Sequence, residues 1–211
     1  MSALARRHDL THLLALGLKN NGLCGEQGKE LDNEMFRAAF RCEQLEHELK
    51  KICGTLEKAR IPFIPLKGSV LRRYYPEPWM RTSCDIDVFV READLDRAME
   101  ALSENLSYRI GEISDHDVQI YTPNGQHIEL HRNLIEDHRI NQAAEVLAAV
   151  WDTAIPHSGW TYWLEMPDEL FYFYHIAHKE AQREGTPRRH EGRRGNYGAR
   201  SLPRHEAAVK E

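Results

Sequence analysis

Asp85 and Asp87 flank Ile86 in the run CDIDVFV, Cys84 to Val90. On a strand, residues two apart point to the same face, roughly 7 Å from each other. Two carboxylates so placed repel each other and gain nothing in a packed core. They make sense facing a cation. Mg²⁺ takes hard oxygen ligands and is commonly held by one or two carboxylates plus substrate phosphates. The plainer alternative is a pair of aspartates on the solvent side of an edge strand. The flanks argue against it, because Ile86, Val88 and Val90 demand a buried opposite face and Phe89 continues the Asp face as an apolar residue.

Two further groups could join this pair. Lys67-Gly68-Ser69 lies between a short apolar run and a helical one. Glycine lets the backbone approach a phosphate closely. Free N–H groups at a helix start bind anions, and the Ser69 hydroxyl can add a donor. A plain strand-to-helix turn would use the same residues. Glu129 sits in QHIELH and alternates with Ile128 and Leu130. If its strand lies beside the Asp strand, three carboxylates converge. Two metal ions about 4 Å apart on such a set serve in-line displacement at phosphorus. His131 should share the face of Glu129 and could orient it or touch a nucleotide, although a hydrogen-bonded structural role explains it equally well. His175 and His178 read as structural, since no third metal ligand accompanies them.

The elements that must position these groups are legible in outline. Residues 32–59 form the strongest helical pattern, with Asp32 as cap and Met35, Ala38, Cys42, Leu45, Leu49, Ile52, Leu56 and Ala59 on one stripe. A helix packed on a sheet explains this stripe, and a coiled coil would also fit it. Phe63 to Leu66 reads as a brief strand, SVLRRYY as a helix ended by Pro76 and Pro78, and READLDRAMEALSE as another helix. Asp115 to Thr122 and Gln126 to His131 alternate on either side of Pro123-Asn124-Gly125, a hairpin signal. A two-residue turn at Asn124-Gly125 would set Ile120 opposite Glu129. Residues 139–151 and 167–179 read as two more helices. Trp151, Trp160, Trp163 and the run Phe171 to Tyr174 read as core.

The fold class expected is α+β, a mixed sheet of about five strands with flanking helices. Residues 1–31 form an N-terminal helical segment and 32–178 the main domain. From residue 179 the chain has few large apolar residues and many charges, glycines and prolines, so 179–211 reads as a disordered or aberrant polar tail.

Taken together, LKGSVLRRYYPEPWMRTSCDIDVFV and the later IELH resemble the bacterial uncharacterised nucleotidyltransferase family, within the DNA-polymerase-beta-like nucleotidyltransferase superfamily. The resemblance covers about residues 35–178. It implies a polymerase-beta-like fold. It also implies Mg²⁺-dependent transfer of a nucleoside monophosphate from a nucleoside triphosphate, ATP among them, to an acceptor hydroxyl. Carried over by position, Asp85 and Asp87 bind two Mg²⁺ ions, for which Mn²⁺ could substitute. Glu129 completes the second metal site or acts as base. Gly68 and Ser69 hold the triphosphate, and Lys67 and Arg81 contact phosphates. The family's third carboxylate is here Glu. The family also continues beyond His175–His178 with further helices where this chain turns polar, so a truncation or frame change is expected.

Composition narrows the partners. The chain has 211 residues, 41% hydrophobic, with a formal net charge of −5. An acidic balance makes no case for nucleic acid held on a basic surface, while metal ions can still bring positive charge to a polyphosphate. No apolar run approaches the roughly 20 residues of a membrane helix. The N-terminal MSALARRHDLTHLLALGL reads as an amphipathic helix rather than a signal peptide. Cys24, Cys42, Cys53 and Cys84 form no CxxC pair and fit a reducing cytoplasm. The alternative to an enzyme acting on a small molecule or a protein is a catalytically silent module that holds a nucleotide or a partner, as in toxin–antitoxin pairs.

Overall fold

The computed structural model describes residues 2–23, 25–135 and 141–185. The polar tail expected from the sequence lies, from residue 186 onward, outside the described residues. Helices α1 (Ser2–Arg7) and α2 (Thr11–Asn20) lead into the long α3 (Gly28–Lys58). Strand β1 (Phe63–Pro65), helix α4 (Lys67–Leu71) and strand β2 (Asp85–Val90) follow, then α5 (Leu95–Leu106). Strands β3 (Arg109–Ile113), β4 (Asp117–Tyr121) and β5 (His127–His131) come next. The described chain closes with α6 (Asn141–Ala148), α7 (Val150–Thr153), the short pair β6 (Ile155–Pro156) and β7 (Leu164–Glu165), and α8 (Asp168–Gly185).

Five strands form one sheet in the order β1-β2-β5-β4-β3. β2 and β5 are parallel, and every other neighbouring pair is antiparallel. This is the α+β class expected, with a mixed sheet and flanking helices. Ile86, Val88 and Val90 share one buried face with Val118, Ile120, Ile128 and Leu130, and Leu45, Leu49, Ile52 and Leu56 of α3 join that core. Ala98 and Leu102 of α5 complete it. The other face carries a second core, in which Ile64, Leu66 and Phe89 meet Leu147, Val150, Phe171 and Tyr174.

Three local expectations are corrected. Helix α3 begins at Gly28, not Asp32, because a 3₁₀ turn at Gly25–Gln27 feeds it directly. Asp32 then lies inside the helix and takes a 2.6 Å ion pair from Lys19 instead of capping. The β4–β5 turn has three residues, not two. Thr122 donates its N–H to Gln126 O at 3.0 Å and Gly125 donates to Thr122 O at 2.9 Å. Gly125 has φ +80, the left-handed conformation glycine adopts freely. The register moves by one, so Gln119, not Ile120, sits opposite Glu129. Finally, α8 runs six residues beyond 179, to Gly185, and only Phe171 and Tyr174 of its aromatic run are buried, while Tyr172 points outward.

The β6–β7 hairpin and strand β3 had no sequence signal strong enough to name. The hairpin is tied to α3 by Glu57, whose carboxylate accepts the N–H groups of Thr161, Tyr162 and Trp163 at 2.9, 2.8 and 3.2 Å. Trp160 and Trp163 pack at the edge of the core beside it.

Candidate active site

Strand register assembles the site. Across β4, β5 and β2, the rows Tyr121–His127–Asp85, Gln119–Glu129–Asp87 and Asp117–His131–Phe89 run side by side. Alternation places all of these side chains on the sheet face opposite the Ile86–Val88 core. Side-chain ligand atoms of Asp87, Glu129 and His131 lie within 4.8 Å of one another, as do those of Asp85, His127 and Glu129. Glu129 is therefore common to both trios. Three carboxylates facing one space, with imidazoles beside them, form a donor set that fits divalent cations.

Lys67 lies among the acids. Its Nζ donates to Asp87 Oδ1 at 2.8 Å and stands 3.7 Å from Glu129 Oε2. Its backbone has φ +44, a conformation costing a residue with a Cβ roughly 1–2 kcal/mol. The contact with the buried carboxylate offsets that strain. His131 stands 3.0 Å from Asp87 Oδ1 and 3.3 Å from Glu129 Oε2 through Nε2, while its Nδ1 lies 3.2 Å from His116 Nε2.

These contacts separate the two aspartates. Burial raises the carboxyl pKa of Asp85, and the charges of Asp87 and Glu129 push it further up. Burial acts the same way on Asp87, but the hydrogen bond from His131 and the Lys67 charge outweigh it and hold Asp87 low. Burial would lower both Lys67 and His131, yet their contacts with Asp87 raise them. Asp87 is thus held ionised against the Lys67 ammonium, with His131 at hydrogen-bond distance.

The triphosphate candidates are mixed in outcome. A Cβ on Gly68 would meet Ser83 Cβ at 2.8 Å and Ser83 Oγ at 2.9 Å, so Gly68 is required by close packing against the Ser83 loop that leads into β2. The N–H of Ser69 is engaged by Leu66 O at 3.2 Å, contrary to the free donor expected, while its hydroxyl is buried with no partner. Arg81 donates to the carbonyl of its neighbour Thr82. Arg72, which had drawn no attention in the sequence, is buried and donates to Ser83 Oγ, bracing the same loop. Gly68→Ala should therefore displace the Ser83 loop at a cost of about 1–3 kcal/mol, as overpacking does. A chemical denaturation midpoint equal to that of the parent would contradict this.

Helix α8 borders the site, which sequence reasoning did not foresee. Tyr174 is buried facing the charges of Asp87 and Glu129, and burial with those charges pushes its hydroxyl well above its ordinary pKa. His175 is lowered by burial and by Lys67 and Arg81. His178 is lowered to about 4, by burial and then by Lys67, His131 and His116. A histidine held neutral in the folded state, against an ordinary 6.5, is protonated first in the unfolded chain as pH falls. The melting temperature should decline between pH 6.5 and about 4, and less steeply in His175→Asn/His178→Asn. Parallel curves for parent and variant would refute this.

The family model described as "Uncharacterised nucleotidyltransferase" matches residues 1–189. The chain belongs to this family. No curated protein matches it. One similar solved structure is that of the antibiotic-resistance factor ANT(2'')-Ia, studied in solution and described as having substrate-regulated conformation dynamics. It shares 15% identity over 65% of this chain and 83% of its own, with a TM-score of 0.38, a likeness too weak to bear on the chemistry. Among the described residues, no helix of this nucleotidyltransferase-family chain is long and apolar enough to cross a membrane.

Proposed function

We propose that this chain is an enzyme that transfers a nucleoside monophosphate from a nucleoside triphosphate to a hydroxyl of a small molecule or protein, releasing pyrophosphate. The observation that carries this reading is the single face on which Asp85, Asp87 and Glu129 converge, with Glu129 within 4.8 Å of partners in both trios. In the reaction the acceptor oxygen attacks the α-phosphorus. The bond to the β-phosphate bridging oxygen breaks, and pyrophosphate leaves with the electron pair. Divalent ions, Mg²⁺ or Mn²⁺, would be held by Asp85, Asp87 and Glu129 and would supply charge neutralisation on the phosphates and activation of the hydroxyl.

The chain's own groups do the rest. Lys67 exchanges its contact with Asp87 for phosphate oxygens as the nucleotide arrives, and Arg81 turns from Thr82 toward the same charge. Gly68 holds the loop close against Ser83, and the hydroxyl of Ser69, buried and unpartnered here, donates to a phosphate once the loop admits one. Glu129 takes the hydroxyl proton or completes the second ion's shell. The free thiols Cys42, Cys53 and Cys84 suit a reducing cytoplasm.

Binding can be tested without knowing the acceptor. A fluorescent nucleoside triphosphate titrated into the full chain should bind with Mg²⁺ or Mn²⁺ and lose most of its affinity with chelator. Equal affinity in both conditions would contradict the reading.

A further inference from the structure

The face of β5 carries a histidine on each side of Glu129, in the order His127, Glu129, His131. The carboxylate cluster alone would accept any hard divalent ion. Each of these two trios also includes an imidazole: Asp85, His127 and Glu129 in one, Asp87, Glu129 and His131 in the other. We infer that His127 and His131 are themselves metal ligands, one for each ion position, and that the centre selects Mn²⁺ over Mg²⁺. This rests on the nucleotidyltransferase reading and specifies its metal.

Geometry supports it at His131. Ligands adjacent to each other around an octahedral ion, with bonds of about 2.1 Å, lie roughly 3 Å apart. His131 Nε2 lies 3.0 Å from Asp87 Oδ1 and 3.3 Å from Glu129 Oε2, which is that spacing. Its other nitrogen is engaged by His116 at 3.2 Å. A metal-bound histidine almost always has such a partner on its second nitrogen, which fixes the ring and its tautomer. With Nδ1 paired to His116, Nε2 faces two carboxylate oxygens. Lys67 Nζ supplies positive charge at the same two oxygens, 2.8 and 3.7 Å away, and an ion would take over that role once Lys67 turns to the phosphates.

His127 supplies a second, separate observation. Its Nε2 is buried and has no hydrogen-bond partner, although buried polar atoms are nearly always paired. The ring is fixed against Tyr121, centroids 5.1 Å apart. A rigid imidazole beside Asp85 with an unmet nitrogen is suited to a ligand. Mg²⁺ favours oxygen and keeps its waters, whereas a first-row transition ion accepts nitrogen, and Mn²⁺ shares the octahedral, oxygen-rich preference of Mg²⁺.

The test is pulsed electron spin resonance of Mn²⁺ bound to the full chain with inorganic tripolyphosphate, a probe that contains no nitrogen. We expect ¹⁴N modulation from imidazole in the parent and its loss in His127→Gln/His131→Gln. The Mg²⁺ concentration that displaces half the Mn²⁺ should be about 10–100-fold higher for the parent than for the variant, the range over which altered ligand shells change metal affinity. Mn²⁺ bound by the parent without ¹⁴N modulation, or modulation that persists in the double variant, would overturn the inference and leave the nucleotidyltransferase reading standing. Failure of the parent to bind Mn²⁺ at all, with or without tripolyphosphate, would overturn both.

Discussion

Asp87→Asn is expected to reduce nucleotidyl transfer by about a thousandfold or more, the upper range for removing one group from preorganised electrostatic catalysis, and to lower the melting temperature. Asp87 is only 1% exposed and holds both Lys67 and His131. Removing one partner of a buried charge cluster leaves the others uncompensated, at about 3–5 kcal/mol. Asparagine keeps the volume and one acceptor oxygen, so the low end applies. For a chain of this size about 3 kcal/mol corresponds to about 6–12 °C. The sign depends on pH. Asp87 is held low in the folded state, so its contribution is present above the ordinary carboxyl value of 3.8 and fades as pH falls below it. The loss should be seen at pH 7 and shrink in acid.

Asp85→Asn should behave oppositely in stability while also abolishing metal-dependent binding. Asp85 is raised by burial and by its acidic neighbours, so its ionised form costs stability at neutral pH. Asparagine removes that repulsion, and the apo protein should melt at the same temperature or a few degrees higher. The sequence alone suggested that both substitutions would relieve repulsion. Lys67 and His131 break that symmetry, and thermal melts of the two variants in chelator check it. Equal shifts for both would contradict the charge assignment.

Glu129→Gln is expected to lower kcat about 100- to 1000-fold, the range for loss of a single group acting in the transition state, while nucleotide affinity changes little. Glu129 is shared by the two ligand trios and faces Lys67 at 3.7 Å and His131 at 3.3 Å. It is 23% exposed as a side chain, so it reaches the space where an acceptor would stand. A group acting on the second ion and the acceptor contributes mainly in the transition state, which lowers kcat without raising Kd for the nucleotide. Nucleotide titration and steady-state rates on the same preparation separate the two. A large loss of affinity with kcat preserved would move Glu129 from the acceptor side to the triphosphate side.

Much of this site was readable because it depends on local alternation. The face shared by Asp85 and Asp87, and that shared by Glu129 and His131, follow from period two within each strand. The one-residue error in the β4–β5 register left those faces unchanged, since register moves the partner and not the strand's own sides. What escaped the sequence depends on contacts between distant segments. The parallel pairing of β2 with β5 joins residues more than forty apart and has no local signature. The approach of Tyr174 and His178 to the carboxylates is set by how α8 packs on the sheet. Gly68 looked like a phosphate-loop glycine, yet its fit against Ser83 is a packing requirement visible only in three dimensions.

Transfer of a nucleoside monophosphate at the carboxylate face sends the α- and γ-phosphates of the nucleotide to different products. The full chain, with Mg²⁺ or Mn²⁺ and a cell extract as the source of acceptors, is incubated in parallel with each nucleoside triphosphate labelled at the α- or the γ-phosphate. We expect α-label in a new product, γ-label in pyrophosphate, and neither with Asp85→Asn or Asp87→Asn. Nucleotide bound in a metal-dependent manner with all label left in the triphosphate would indicate a silent binding module. Label transferred equally well by the two aspartate variants would contradict the site itself.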